Sequence, residues 1–96
     1  MKKKDSEPIG LLVRQILRQQ GLETPLNEYR LIQAWKEVLG PNIATYTGNL
    51  YIKNQTLYVH LTSSTLRQEL MMRRDILINN LNRHVGAQVI YDIVFQ

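Results

Sequence analysis

Along this chain the spacing of apolar positions switches between a helical and a strand period, and each switch marks an element boundary. Ile9, Leu12, Val13, Ile16 and Leu17 recur at helical steps and form one stripe of an amphipathic helix. Ser6 and Pro8 suit its start, and Gly21 suits its end. A second helix is framed by Thr24 as cap, Pro25 at the first helical position and Gly40-Pro41 at its close. Leu31, Ile32, Trp35, Val38 and Leu39 make its inward stripe, which places the only Trp as a core anchor.

After a connection over Asn42 to Gly48, with room for one helical turn, the period becomes two. Leu50 and Ile52 alternate with Tyr51 and Lys53, and Leu57, Val59 and Leu61 alternate with Tyr58, His60 and Thr62. This predicts a hairpin turning at Asn54-Gln55, where Asn accepts positive φ and Gln is a poorer second residue than Gly. Ser63, Ser64 and Thr65 then offer caps for one long helix running to about Arg83, with Leu66, Leu70, Leu77 and Leu81 inward. His84-Val85-Gly86 ends it. Gln88 to Phe95 is β-branched and aromatic, interrupted only by Asp92, and reads as a third strand. Such an apolar run suggests cover on both faces or an interface.

The predicted order is α-α-β-β-α-β. An α+β fold with a three-stranded sheet and helices packed on one face buries every stripe, with the long helix as a right-handed crossover to the third strand. Residues 1–7, MKKKDSE, have no apolar period and form a flexible basic leader; residues 8–96 form a single domain.

Composition narrows the function. At 96 residues, 44% hydrophobic and 21% charged, the chain is one globular module. Having no Cys, it lacks disulfides, thiolate nucleophiles and cysteine-held metals, and a reduced cytoplasmic setting is expected. No apolar run approaches membrane-spanning or signal-peptide length, so neither membrane attachment nor export is expected. His60 and His84 fall in no motif with a nucleophile or carboxylate, and they make no metal-ligand spacing. The five glycines stand singly, so no phosphate loop is present. We therefore expect no enzyme activity, no metal and no cofactor.

What remains is surface. The net charge of +4 favours polyanions, and Lys2, Lys3 and Lys4 concentrate part of it in the leader. Alternation sends Tyr51, Lys53, Tyr58 and His60 to one face of the hairpin. There, aromatics can stack on unpaired bases while cations hold phosphates, or the same side chains can pair with one another across the strands. Arg67 and Arg74, seven apart on the predicted long helix, could flank a basic groove or belong to a solvated face. Met72 and Ile76 fall opposite Leu66 and Leu77, leaving an apolar patch that fits a protein contact or cover by the first helix.

Leu31-Ile32-Gln33-Ala34-Trp35-Lys36-Glu37-Val38-Leu39-Gly40, then Leu57-Tyr58-Val59-His60-Leu61 with Ser63-Ser64, then Glu69-Leu70 and Leu81-Asn82, resemble the bacterial DciA-like family, from about Pro8 to Phe95. The resemblance implies a K-homology-like domain, without catalysis, that works with the replicative helicase and contacts DNA. Ending at Gln96, the chain resembles the short single-domain members and lacks a long C-terminal extension. It also lacks two glycines three apart, so the Gly-x-x-Gly clamp of K-homology domains is missing and any nucleic acid must use another surface. The expected partners are single-stranded or forked DNA, bound weakly through Lys53, Arg67, Arg74 and Lys2 to Lys4 with Tyr51 and Tyr58 stacking. A replicative helicase or other protein is expected at Met72 and Ile76, and a homodimer could form through the last strand.

Overall fold

The computed structural model describes residues 12, 13, 15 and 23–96. The leader and most of the first predicted helix lie outside the described residues. Leu12 and Val13 are helical, yet both are exposed, at 56% and 48%, so these two members of the stripe are not buried.

From Glu23 the elements are α1 (Glu23–Leu39), α2 (Pro41–Thr45), β1 (Thr47–Lys53), β2 (Thr56–Leu61), α3 (Ser64–Met72), α4 (Arg74–Val85) and β3 (Asp92–Phe95). Helix α1 buries Leu31, Ala34 and Trp35 and leans Val38 and Leu39 on the same core. Gly40 ends it with φ 94°, a conformation costly for any side chain, and Pro41 starts α2 where an N–H is not needed. Trp35 Nε1 donates to Thr47 Oγ1 at 3.0 Å, and that hydroxyl donates to the Ile43 carbonyl at 2.9 Å. The core anchor thereby also fixes α2 and the start of β1.

The sheet order is β1-β2-β3. Strands β1 and β2 are antiparallel, and the turn takes Asn54 and Gln55 at φ 52° and 59°. Two successive positive φ values are those of a type I′ turn. Strand β3 runs parallel to β2, which requires the crossover that α3 and α4 supply. Leu57, Val59, Leu61 and Ile93 turn inward onto Leu31, Trp35, Leu77, Leu81 and Ile90.

Two expectations need correction. The long helix is two, because Arg73 sits at φ −110°, ψ 17° and closes α3 with its N–H on the Leu70 carbonyl at 3.0 Å. Neither Pro nor Gly marks the break. The two halves serve different partners: α3 contacts β2, whereas α4 lies along α1. The last strand starts at Asp92 rather than Gln88. Val89 and Ile90 are buried, but their amides are bonded to the side chain of Asn82 at 3.0 and 3.1 Å, which keeps them out of the ladder.

Candidate nucleic-acid interface

Among the described residues the sheet has one covered face and one open face. Cross-strand registers put Tyr51, Tyr58 and Val94 in one row of the open face, with Lys53, Thr56 and Asp92 in the next. Tyr51 and Tyr58 stack on each other with ring centroids 4.8 Å apart and planes 8° from parallel. Tyr58 lies between Tyr51 and Val94 in this row, whereas Tyr51 is 44% exposed on the outer strand. One ring face of Tyr51 is therefore the natural continuation of the stack. Lys53 and His60 are exposed on the same side. A Cβ added to Gly48 would stand 2.9 Å from His60 Cδ2, so a side chain there would make that imidazole move.

Both tyrosines, Lys53 and His60 thus share the face expected from their alternation. The arginines do not join them in one place. Arg67 Nη2 donates to the Leu61 carbonyl at 3.2 Å, at the far end of β2, and its Nε is buried without a partner among the described residues. Leu61 is separated from Thr56, the cross-strand partner of Lys53, by five strand steps, roughly 17 Å. Arg74 Nε lies 3.6 Å from Asp92 Oδ1 at the start of β3. The break at Arg73 separates the two arginines that a continuous helix would have aligned. Lys2, Lys3 and Lys4 fall outside the described residues.

Met72 is 84% exposed and Ile76 61%, so the apolar patch expected there stands on the surface. Met71, at 53%, extends it, a residue that sequence spacing did not single out. Tyr91 is exposed too; its place in an apolar run hid it, because that run is a loop before it is a strand.

Among the described residues the groups able to do chemistry do not assemble into one site. His84 Nε2 is 2.8 Å from Glu37 Oε1, but both are exposed and the contact joins α4 to α1 at the surface. The groove beside it, about 290 Å³, is lined by Tyr29, Arg30, Gln33, Ala34 and Val85 and carries no hydroxyl or thiol nucleophile beyond a phenol. Ser63 Oγ accepts the Leu66 N–H at 3.2 Å and caps α3. Among the described residues no cluster of three or more His, Cys, Asp and Glu could hold a metal, and no helix is long and apolar enough to cross a membrane.

A protein-family model described as "Dna[CI] antecedent, DciA" matches residues 8–95. The chain belongs to the DciA family. The match spans every element described above, from the exposed helical residues Leu12 and Val13 to the last residue of β3. Among curated proteins no match is found. In this DciA family chain the open tyrosine face and the methionine patch both expose large apolar side chains among the described residues.

Proposed function

We propose that this chain is a non-enzymatic, cytoplasmic DNA-associated module of the replicative helicase machinery, which holds single-stranded or forked DNA weakly on the open face of its sheet. The observation that carries this reading is the stacked Tyr51–Tyr58 pair beside Lys53 on a face that the described residues leave open. An unpaired base extends that stack on the outer ring face of Tyr51, Tyr58 supports Tyr51 from behind, and Lys53 meets the neighbouring phosphate. Arg67, Arg74 and Lys2 to Lys4 add phosphate contacts further along the strand. The helicase association rests on membership of the DciA family.

The test is anisotropy of labelled single-stranded, forked and duplex DNA at low salt. Stacking contributes about 1 to 3 kcal/mol per base, so Tyr51→Ala should weaken single-strand binding roughly 5- to 150-fold. Lys53→Glu should weaken all three DNAs together, since a phosphate contact carries no base information. Both variants binding like the parent at low salt would falsify the assignment of this face.

A second reading, favoured by the 84% exposure of Met72, is a protein-interaction adaptor with incidental DNA contact. In that case Met72→Asp with Ile76→Asp abolishes capture of the replicative helicase while DNA binding and the fold persist. Capture that survives both substitutions removes this surface from consideration.

A further inference from the structure

The outer edge of β3 carries an unusual local contact. Gln96 donates its N–H to the Val59 carbonyl and accepts the Leu61 N–H, each at 2.8 Å, so its amide groups both point toward β2. Amide directions alternate along a strand in a parallel ladder. Val94 therefore points the same way as Gln96, while Ile93 and Phe95 turn their N–H and C=O groups outward; ahead of the strand it is the Tyr91 N–H that reaches β2's side, on the Gln55 carbonyl at 2.8 Å. Among the described residues no strand pairs with this edge. The outward N–H of Ile93 is instead covered by the carboxylate of Asp92, its Oδ1 at 2.8 Å, and the same oxygen faces Arg74 Nε at 3.6 Å.

We infer that β3 is a latched edge whose fitting partner is a second copy of this chain, and that Asp92, held by Arg74, keeps it closed. The self-fit follows from the register. If two β3 strands run antiparallel about a twofold axis at Val94, Ile93 of each copy lies opposite Phe95 of the other. Both residues are of outward type, so each pair exchanges two hydrogen bonds. The two Val94 side chains then meet on the open face, where Val94 is 36% exposed. The Tyr51, Tyr58, Val94 row runs on into the same row of the other copy. This pairing needs the Ile93 N–H that Asp92 occupies. Charge placed on an edge strand is one way native proteins refuse strand addition, and here the same carboxylate also occupies the edge amide. The interruption of an apolar strand by Asp92 thus has a use at the edge, independent of how the tyrosine face is employed.

Mass by light scattering over a range of concentrations, together with amide hydrogen exchange, tests this. The parent chain should run at monomer mass with a protected Ile93 amide and a fast-exchanging Phe95 amide. Asp92→Ala should double the mass at high concentration and protect Phe95. Adding Val94→Asp to that variant should restore the monomer, because two carboxylates would then meet on the axis. Arg74→Ala, which leaves Asp92 in place but unheld, should speed exchange of the Ile93 amide and serves if Asp92→Ala does not fold. Three results overturn the inference: a parent already dimeric through β3, a monomeric Asp92→Ala with a freely exchanging Ile93 amide, or a dimer indifferent to Val94→Asp.

Discussion

At the scale of single residues, the side chain with the most structural consequence is Asn82. It is the one buried polar residue in the described core, 7% exposed. Its Nδ2 donates to the Ile90 carbonyl at 2.8 Å, and its Oδ1 accepts the amides of Val89 and Ile90. An amide side chain matches this demand for both a donor and an acceptor. Spacing put its neighbour Leu81 on the inward side of the helix but assigned Asn82 no role. Its partners were hidden, because residues 89 and 90 read as strand and should have found partners in the sheet. Asn82→Ala leaves the buried amides of Val89 and Ile90 unpaired at about 1 to 3 kcal/mol each, moderated where water enters, while the Ile90 carbonyl keeps the Gln88 Nε2 donor at 3.1 Å. We expect a loss of roughly 3 kcal/mol in urea unfolding, with β3 amides losing protection first. A change within about 0.5 kcal/mol, typical of inert surface positions, would show that the loop needs no such clamp. Trp35 shows the same division: its place on the apolar stripe was legible, but the Thr47 hydroxyl it reaches, 12 positions away, was not.

At the scale of elements, what could be read depended on whether an element's reason to exist was local. The hairpin was legible because alternation and Asn54 both act within a few residues. Its turn retains a fault, since Gln55 holds φ 59° with a side chain that disfavours it. Gln55→Gly removes that strain and completes the preferred Asn-Gly turn. The gain should be about 0.5 to 1 kcal/mol, after the added flexibility of glycine in the unfolded chain is subtracted. Thermal unfolding measures it; a lower midpoint would mean that the Gln55 side chain makes a contact that outweighs the strain. The break at Arg73 was not legible, since no residue there forbids a helix. It exists because α3 is drawn to β2 and α4 to α1, a tertiary demand that overrides a continuous periodic pattern. That error propagated to the site, where Arg67 and Arg74 were expected on one side of one helix.

At the scale of the whole molecule, alternation revealed which residues share the open face, but strand order decides which of them adjoin. The row Tyr51, Tyr58, Val94 needs β3 beside β2, a pairing of residues 36 positions apart in Tyr58 and Val94 that no local pattern encodes. The same scale governs how strongly DNA could be held. Lys53, Arg67 and Arg74 lie apart, Arg67 bonded to the Leu61 carbonyl and Arg74 beside Asp92, so each could meet a separate phosphate rather than grip one. For single strands the logarithm of affinity falls with the logarithm of salt at about 0.7 per phosphate neutralised, which gives a slope of about −2 for these cations alone. If Lys2, Lys3 and Lys4 also bind, the slope steepens to about −4, and removing residues 1–7 should return it to about −2. A titration at several salt concentrations, with and without the leader, separates these cases. A slope unchanged by the truncation assigns binding to the folded body. A slope near zero in both would rule out phosphate contacts as its source, leaving the net charge of +4 without a role in recognition.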